Sequence, residues 1–354
     1  MAEKVLMKGC EAIAEAAVRA GCRFFSGYPI TPQNEVPEYL SWRLPQVGGV
    51  YVQGESEIAA INMVYGSACT GTRAMTSSSS PGISLKTEGI SYLAATNLPA
   101  VILNFQRGGP GIGTIQASQS DYFQAVKAAG HGGHRCLVYT PYSVQETVDI
   151  IQRAFDKSQE YRTPVIVLVD GVIGAVMEAV TLPEMFELDP NEGADWALTG
   201  NEGREGRDIR PFAHSIPGVV LDRIAANEMY EAWKSKEAMY EEVQMEDAEY
   251  VLVAYGSAAR LAMSTIDDLR NEGYKIGMIR PITAFPFPQE PFNRLNPENV
   301  KKVISVEMTL PAQLGEDVRL ALNGRLPYDQ VCITGGYVPA YEDITDKVKN
   351  AIGR

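Results

Sequence analysis

The first 180 residues alternate between predicted strands and predicted helices, and this alternation restricts the fold more than any other feature of the chain. Apolar runs predict strands at 23–26, 49–53, 73–77, 100–105, 135–140 and 164–170. Apolar residues at helical spacing predict helices at 7–20, 55–69, 83–95, 117–129 and 144–161. The last strand contains the unbroken run VIVLV, which is typical of a strand buried on both faces of a parallel sheet. We therefore predict an α/β domain at residues 1–180, with helices on both faces of a parallel sheet.

A second, smaller α/β domain is predicted at residues 246–354. The alternation resumes there, with strands at 251–256, 274–282, 300–308 and 329–335 and helices at 258–272 and 314–323. Residues 181–245 begin with a polar, glycine-rich stretch without any period. We predict that they form an extended linker followed by a helix at 221–240.

Composition excludes several classes of protein. The net charge of −13 disfavours nucleic-acid binding, because the phosphate backbone attracts clustered Lys and Arg. The five cysteines are dispersed and form no CxxC pair, so we predict reduced thiols and no iron–sulfur or zinc site on this chain. The most apolar stretch, residues 165–177, is too short to span a membrane and contains Asp170. The first residues lack the apolar core of a signal peptide, and we expect a cytoplasmic protein.

Residues 27–32, which read GYPITP, follow the first predicted strand. The two prolines restrict the backbone on either side of Ile30 and Thr31. They would hold the Thr31 hydroxyl at the carboxyl end of a strand, where open α/β sheets bind ligands. Thr31 and Pro32 also fit the N-cap and first position of a helix, which would aim backbone N–H groups at an anion. The alternative is a plain turn with a capping threonine.

Two glutamates, Glu55 and Glu57, begin the helix predicted at 55–69. Acidic residues in a first turn commonly interact with the helix dipole. Alternatively, a buried carboxyl with a raised pKa could hydrogen-bond a heterocyclic nitrogen and relay a proton. Glu57 lies on the apolar stripe of the helix, three and four positions before Ala60 and Ile61, whereas Glu55 lies off it. Glu57 is therefore the better candidate.

Residues 106–113, QRGGPGIG, follow another predicted strand. They do not form a Walker loop, because no Gly-Lys-Ser or Gly-Lys-Thr follows. Glycines let a backbone approach a ligand closely, and Arg107 could present its planar fork to a carboxylate or phosphate. The alternative is an ordinary glycine-rich loop.

The other polar segments favour structural interpretations. The serines at 77–80 are interpreted as a turn that caps a helix, and Asp170 with Gly171 as a turn at a strand end. His131 and His134 have no further ligand at metal-binding spacing and are interpreted as loop residues. No metal site is predicted on this chain.

Together these segments resemble the α-type subunits of 2-oxoacid:ferredoxin oxidoreductases. The resemblance covers nearly the whole chain and runs through YPITPQNEVPEYLS, ESEIAAI, TSSSSPGISLKTEGISYLAATNLPAV, NFQRGGPGIGTIQASQSDY, AFDKSQEYRTPVIVLVD, RPITAFPFP and SVEMTLPAQLGEDV. The branched-chain type, which acts on 2-oxoisovalerate, is the most similar, because it also carries Pro-Gln-Asn-Glu after Ile-Thr. The resemblance implies a pyrimidine-type thiamine diphosphate-binding fold at 1–180 and a transketolase C-terminal-like α/β domain at 246–354.

The resemblance also implies roles for individual residues. Glu57 matches the carboxylate that pairs with N1′ of the aminopyrimidine ring of thiamine diphosphate. Pro29 and Ile30 would contact the same cofactor. Thr31 matches the threonine that faces the 2-oxoacid, and Arg107 matches the arginine that recognises its carboxylate.

The implied reaction is oxidative decarboxylation of a 2-oxoacid with coenzyme A and ferredoxin, and several partner chains are implied with it. The Gly-Asp-Gly motif that holds Mg²⁺ and the diphosphate group is missing here, so a β-type subunit would supply that half. The [4Fe–4S] clusters would lie in the β-type subunit and in a small ferredoxin-like δ-type subunit. A γ-type subunit and an external ferredoxin complete the expected set, and the chain alone should be inactive.

Three alternatives remain open. A 2-oxoglutarate enzyme would need another cation for the second carboxylate, and Lys86 could serve. A non-catalytic scaffold would keep the fold only to bind the β-type subunit, but the joint presence of Thr31, Glu57 and Arg107 argues against it. An indolepyruvate oxidoreductase would carry a fused cluster domain that is missing here. Lys86 and the histidine segment AAGHGGHR depart from the family pattern and leave the substrate preference open.

Overall fold

The computed structural model describes residues 4–127, 130–212 and 216–353. The helices, labelled α1 to α12 in chain order, are Gly9–Arg19, Glu35–Gln46, Glu57–Cys69, Ser80–Ala95, Tyr122–Val126, Val144–Tyr161, Gly171–Ala175, Ile216–Lys236, Gly256–Asn271, Glu290–Asn293, Leu314–Leu322 and Tyr341–Ile352. The strands, β1 to β14, are Val5–Lys8, Phe24–Gly27, Val50–Gln53, Ala74–Ser79, Ala100–Gln106, Leu137–Tyr139, Pro164–Asp170, Met177–Val180, Tyr240–Val243, Tyr250–Val253, Ile276–Pro281, Thr283–Phe285, Lys302–Glu307 and Tyr328–Cys332.

A seven-stranded sheet forms the larger part of the molecule, in the order β12-β6-β7-β5-β4-β2-β3. All neighbours pair in parallel except β12, which pairs antiparallel with β6 at one edge. Alternate residues of β5 face opposite cores: Val101 and Leu103 pack with α1, α2 and α6, whereas Ala100 and Ile102 pack with α3 and α4. Helices therefore cover both faces, as the unbroken apolar strands predicted.

A five-stranded sheet follows, in the order β14-β13-β10-β11-β9, with β9 antiparallel to its neighbour. Helices α9 and α12 pack on one of its faces. This confirms a second α/β unit in the C-terminal part of the chain. The predicted domain limits at residues 180 and 245 remain predictions. Strand β12 belongs to the second predicted domain by its position in the sequence, but it pairs with β6 of the larger sheet. No helix within the described ranges is both long and apolar enough to cross a membrane.

Two helix predictions were wrong. The helix expected at 117–129 is only the short α5, Tyr122–Val126, and residues 128 and 129 lie outside the described ranges. The preceding residues do not form a helix because their hydrogen bonds go to distant segments instead: Ala117 pairs with Arg107, and the Ser118 hydroxyl donates to the Met308 carbonyl at 3.1 Å. A helix beginning at Thr31 is also wrong, since α2 begins at Glu35 after its N-cap Asn34.

Gln119 and Asp170 join the two sheets. The Gln119 side chain donates to the Tyr255 carbonyl at 2.8 Å and accepts from the Met308 backbone N–H at 2.9 Å. Asp170, at the end of β7, accepts from both the backbone N–H and the hydroxyl of Ser257 at 2.7 and 2.5 Å. The sequence indicated only a turn at this strand end. The structure adds a contact between the two sheets, because Asp170 binds the start of α9.

Candidate active site

The predicted site residues converge on the carboxyl edge of the seven-stranded sheet. Thr31 follows β2, Glu57 follows β3 and Arg107 follows β5. Parallel strands bring the segments after them to one edge, and here Arg107 Nη1 donates to the Thr31 carbonyl at 2.8 Å. Three segments that are far apart in the sequence therefore meet where a ligand of an open α/β sheet would bind.

Glu57 is the first residue of α3, and only 7% of its surface is exposed. The Ser56 hydroxyl caps this helix by accepting from the Ala59 backbone N–H at 3.2 Å, which fixes where the helix begins. The Glu57 carboxylate packs against Gly82 in the first turn of α4, where a Cβ would lie 2.5 Å from Glu57 Oε1. Glu55, by contrast, is exposed. Burial separates the two glutamates in the way that the apolar stripe predicted.

The segment after β2 forms an irregular turn rather than a helix start. Pro29 is exposed, and Ile30 and Thr31 are half-buried. The Gln33 backbone N–H donates to the Ile30 carbonyl at 3.1 Å, which closes the turn. Pro37 lies in the first turn of α2, where its missing N–H removes no intrahelical hydrogen bond. The sequence predicted the position of this turn but not its conformation.

Arg107 is buried and connects two loops of the site. Its Nη1 donates to the Thr31 carbonyl and its Nη2 to the Ile112 carbonyl at 2.9 Å, while its backbone N–H donates to the Ser80 hydroxyl at 2.9 Å. Nε is buried without a hydrogen-bond partner. A guanidinium has about five N–H donors. Most of the donor capacity of Arg107 therefore remains for a ligand.

Several unpartnered polar atoms belong to the carboxyl ends of β4 and β5 and to the segments that follow β2 and β5. Within the described ranges, the buried atoms without a hydrogen-bond partner include Gln33 Nε2, Ser78 Oγ, Ser79 Oγ, Asn104 Oδ1, Gln106 Nε2 and Arg107 Nε. Each such atom costs about 1–3 kcal/mol when nothing satisfies it. Their concentration at the edge that carries Glu57 and Arg107 fits a bound polar group that would satisfy them.

A buried aspartate, which sequence reasoning missed, organises the Arg107 side of the site. Asp121 Oδ2 accepts from the Ser80 hydroxyl at 2.6 Å and from Asn104 Nδ2 at 3.0 Å. Burial raises the pKa of Asp121, and its hydrogen bonds with Ser80 and Asn104 and the Arg107 charge oppose that rise. Asp121 thus holds the hydroxyl that in turn holds the Arg107 backbone. A signal existed in the sequence, since Asn104 interrupts an otherwise apolar strand near its carboxyl end.

The serines at 77–80 belong to the strand end and helix start rather than to a capping turn. Ser77–Ser79 complete β4 and Ser80 begins α4, whose N-cap Ser79 makes no capping hydrogen bond with its side chain. The Ser77 hydroxyl donates to Gln33 Oε1 at 2.5 Å, which ties the segment after β2 to β4. The capping interpretation was therefore wrong, and the Ser77 and Ser80 hydroxyls instead connect this segment to Gln33 and Asp121.

The two histidines lie apart from this edge, in the loop before β6. His131 is exposed, and His134 is buried with Nδ1 3.2 Å from the His131 carbonyl oxygen. Burial lowers the pKa of His134. In the part of the chain that the structure describes, no three His, Cys, Asp or Glu side chains are grouped as they would be to hold a metal ion.

Comparison with known families identifies both α/β parts of the chain. Residues 15–251 match the family described as pyruvate flavodoxin/ferredoxin oxidoreductase, thiamine diP-bdg, and residues 248–344 match pyruvate:ferredoxin oxidoreductase core domain II. The chain belongs to the 2-oxoacid:ferredoxin oxidoreductase family. It is thus an oxidoreductase subunit, and the predicted resemblance to the α-type chains is confirmed.

Two relatives within the 2-oxoacid:ferredoxin oxidoreductase family cover most of this chain. Ketoisovalerate oxidoreductase subunit VorB of Methanothermobacter marburgensis is 42% identical over 98% of both chains. The 2-oxoglutarate synthase subunit KorA of Methanocaldococcus jannaschii is 35% identical over 86% of this chain and 88% of its own. The family thus includes similar chains whose names give different substrates.

Two solved structures confirm the predicted fold. The 2-oxoglutarate:ferredoxin oxidoreductase from Magnetococcus marinus, with 2-oxoglutarate, coenzyme A and succinyl-CoA bound, superimposes with a TM-score of 0.86 at 25% identity. The match covers 99% of this chain and 66% of that one. A split-gene transketolase shares the fold over 98% of both chains, with a TM-score of 0.62 at 15% identity. The thiamine diphosphate-binding fold followed by a transketolase-like C-terminal unit is therefore the fold of this family member.

Proposed function

We propose that this chain is the catalytic α-type subunit of a coenzyme A-acylating oxidative decarboxylase with 2-oxoisovalerate as its substrate. The reaction converts the 2-oxoacid, coenzyme A and oxidised ferredoxin into an acyl-CoA, carbon dioxide and reduced ferredoxin. The two electrons released by decarboxylation and thioester formation leave on ferredoxin. The 42% identity to a ketoisovalerate oxidoreductase subunit supports the substrate.

The observation that carries the proposal is the buried Glu57 carboxylate beside unpartnered polar atoms. Thiamine diphosphate, when bound, supplies a carbon nucleophile for the 2-oxo group and stores the electron pair left by decarboxylation. Glu57 would hold a proton at N1′ of its aminopyrimidine ring, because a carboxylate shielded from water forms a strong hydrogen bond there. Pro29 and Ile30, in the segment after the neighbouring strand β2, would contact the same ring system.

Arg107 and Thr31 would bind the substrate. The guanidinium donors of Arg107 that no protein group uses would pair with the carboxylate of the 2-oxoacid. The backbone contact between Arg107 and Thr31 keeps the two residues adjacent, so that the Thr31 hydroxyl can hydrogen-bond the neighbouring oxo group. Positioning of this kind supplies much of the rate enhancement in enzymes.

Partner subunits complete the proposed site. We assign Mg²⁺ and the diphosphate group to a β-type subunit, because this sequence lacks the Gly-Asp-Gly motif. We assign the [4Fe–4S] clusters to the β-type and δ-type subunits, with a γ-type subunit and external ferredoxin in a cytoplasmic assembly. Large apolar side chains exposed near the site edge support a covering partner: they are Tyr28, Ile58, Ile112 and Ile115.

The position of Lys86 favours 2-oxoisovalerate over 2-oxoglutarate. A second substrate carboxylate needs a cation that is open to the site. Lys86 is fully buried, and its ammonium donates to Thr76 Oγ1 and the Ser77 carbonyl at 2.5 and 3.4 Å. It therefore does not offer a charge at the opening of the site. The similarity to a 2-oxoglutarate synthase subunit keeps that substrate as the second candidate.

The test uses the complex purified from cells that co-express this chain with its partner subunits. Wild type, Glu57→Gln and the exposed control Glu55→Gln are assayed with 2-oxoisovalerate, 2-oxoglutarate and indolepyruvate, in the presence of coenzyme A and a viologen acceptor. We expect preference for 2-oxoisovalerate and loss of at least ~100-fold in turnover for Glu57→Gln, as removal of an acid–base group produces. Glu55→Gln should keep wild-type turnover.

Three outcomes would contradict the proposal. Full activity of Glu57→Gln would remove its proton-holding role. Preference for 2-oxoglutarate or indolepyruvate would reassign the substrate. An assembled wild-type complex that turns over none of the three acids would indicate a scaffold subunit.

A further inference from the structure

A cavity of about 610 Å³ opens where α5, β12 and α11 meet, and the proposed reaction does not use it. Its apolar lining includes Val126, Phe285, Pro286 and Phe287. Charged and amide side chains stand around this lining and are partly or fully exposed. Small-molecule sites typically measure about 300–1,000 Å³ and combine apolar walls with a few polar groups. The cavity therefore has the size and the composition of such a site.

The cavity lies away from the catalytic edge of the larger sheet. Arg135 lines it and stands two positions before β6 begins at Leu137, beside the amino end of this parallel strand. Thr31, Glu57 and Arg107, by contrast, follow the carboxyl ends of strands in the same sheet. Amino and carboxyl ends of parallel strands form opposite edges of a sheet. A ligand in this cavity would therefore bind at the edge opposite the proposed site of catalysis.

Arg135 is the cation of this cavity that no carboxylate balances. Its guanidinium lies over the Phe285 ring, 5.2 Å from the ring centroid, and Nη1 donates to the Val126 carbonyl. Among the described residues, Arg135 forms no ion pair. A guanidinium has about five N–H donors, so the donors that do not hold the carbonyl can bind an anion.

The other charges around the cavity balance one another. Lys127 pairs with Asp317 at 2.5 Å, and Lys234 pairs with Glu231 at 2.7 Å. Asp317 also accepts from the Tyr122 hydroxyl at 2.8 Å, which holds its carboxylate in place. The guanidinium therefore leaves the cavity positive, in a chain whose net charge is −13. A local positive charge of this kind favours an anionic ligand.

Three amide side chains on the rim favour a ligand whose ring has a polar edge. They are Gln289, Asn293 and Asn323, and their side chains make no hydrogen bond with other described residues. An amide offers donors and an acceptor, so it can pair with the edge of a heteroaromatic base. The apolar surfaces of Phe287 and Pro286 can cover the face of such a base.

We propose that this cavity binds a nucleotide, with its base on the apolar lining and a phosphate on Arg135. A guanidinium matches a phosphate through two parallel hydrogen bonds. A free nucleotide and the nucleotide end of coenzyme A share this chemistry. The position at the amino edge favours a free nucleotide, because the acyl group would be formed at the carboxyl edge.

The test measures ADP binding to the complex purified with its partner subunits. Equilibrium dialysis with labelled ADP gives the number of sites and the dissociation constant of each. Adenosine keeps the base without the charge, and inorganic phosphate keeps the charge without the base. Both should compete at least ~10-fold more weakly than unlabelled ADP, since each lacks one of the two contacts. Competition by coenzyme A as strong as that by ADP would assign the cavity to its nucleotide end.

Two substitutions alter the cavity without changing any residue proposed for catalysis. Arg135→Gln keeps a donor for the Val126 carbonyl but removes the charge, so the dissociation constant of one class of ADP sites should rise ~10-fold or more. Gln289→Glu adds a negative charge on the exposed rim and should raise it ~3-fold or more. Arg162→Gln is the matched control, because Arg162 also lies over a ring, that of Trp196, and also donates to a backbone carbonyl, yet it lies outside this cavity. It should leave ADP binding unchanged.

Three results would overturn the proposal. The first is a wild-type complex that does not bind ADP at millimolar concentration. The second is ADP binding that neither Arg135→Gln nor Gln289→Glu weakens, which would place the nucleotide elsewhere in the complex. The third is an equal loss in Arg162→Gln, which would show a general effect of charge. Gln289 is exposed, so weaker binding in Gln289→Glu does not reflect a failure to fold.

Discussion

Some residues at the site make structural hydrogen bonds and still have donors available for a ligand. Arg107 shows this most clearly, because two of its nitrogen atoms hold backbone carbonyls of Thr31 and Ile112 while its buried Nε has no partner. A residue that served only to join two loops would not leave a buried donor unsatisfied at a cost of about 1–3 kcal/mol. The arrangement therefore argues for a ligand at this position.

Replacement of Arg107 tests that ligand directly. For Arg107→Ala we expect the KM for the 2-oxoacid to rise by ~30-fold or more, because a bidentate, charge-assisted contact to its carboxylate is lost. The kcat should change less, since Glu57 remains in place. Arg107→Lys keeps the charge but loses the planar fork, so its KM should lie between those of wild type and Arg107→Ala. Steady-state kinetics on the assembled complex provide the comparison, and a KM unchanged in Arg107→Ala would reassign the residue.

Sequence reasoning identified some site residues and missed others for a physical reason. The apolar stripe of α3 distinguished Glu57 from Glu55, because the facing direction of a helical residue follows from its spacing. Gln33 and Asp121 carry no such local signal, and the polar Asn104 in an apolar strand marks a position without indicating its partner. Their importance arises from contacts between segments remote in the chain, such as the Ser77–Gln33 and Asn104–Asp121 hydrogen bonds.

At the scale of elements, close packing between α3 and α4 shapes the site. Glycines on α4 bring its backbone against side chains of α3, and a Cβ at Gly82 would approach Ser78 Oγ to 2.1 Å and Glu57 Oε1 to 2.5 Å. Two neighbours would have to move to admit even one methyl group. The position of the Glu57 carboxylate thus requires a glycine at position 82 of the next helix.

Gly82→Ala should therefore reduce activity more than stability. We expect turnover to fall by at least ~10-fold and the free energy of unfolding to fall by ~1–3 kcal/mol, as overpacking of a filled interior typically causes. Gly66→Ala on α3 is the matched control: nothing lies within 4 Å of its added Cβ, and alanine favours a helix. It should keep activity and gain ~0.5–1 kcal/mol. Urea unfolding and turnover assays of both variants test these expectations. Wild-type turnover in Gly82→Ala would contradict the packing argument.

Helices were predicted well where one face alone is buried and poorly where tertiary contacts replace the helix. The prediction for α6, residues 144–161, agrees with the structure, since its apolar stripe and its Ser143 cap are both local. Residues 117–121 were included in a predicted helix whose apolar residues lie mostly further along the chain, yet Ser118 and Gln119 use their hydrogen bonds to join the second sheet. The C-terminal helix α12 went unpredicted, although its buried residues lie on one stripe.

At the scale of the molecule, a few buried polar side chains fasten the two sheets together. Gln119 is fully buried, and it satisfies a carbonyl of Tyr255 and an N–H of Met308 from the second part of the chain. The loop that carries Arg107 leads into this contact. Connection of the two sheets therefore also supports the loop that carries Arg107.

Gln119→Ala should weaken the whole fold. The substitution leaves the buried Met308 N–H without a partner, whereas the Tyr255 carbonyl still accepts from the Ala259 N–H at 3.1 Å. An unsatisfied buried group costs about 1–3 kcal/mol, so we expect the free energy of unfolding to fall by ~1–3 kcal/mol. Gln330→Ala, on the exposed side of β14, is the control and should remain within ~0.5 kcal/mol of wild type. Denaturant unfolding of the isolated chain measures both, and equal stability of the two variants would refute the fastening role.

The exposed apolar residues at the site edge give a test of assembly. Ile112, whose carbonyl holds Arg107, has 81% of its surface exposed, which is unfavourable for so large an apolar side chain unless a partner covers it. Ile112→Asp should leave the unfolding of the isolated chain unchanged, because the side chain makes little contact within the chain. It should nevertheless weaken association with the proposed β-type subunit by ~30-fold or more, as a charge placed in an apolar interface does. Leu221→Asp, 66% exposed on α8, is the matched control, and equal association of both variants with the β-type subunit would place the partner on another surface.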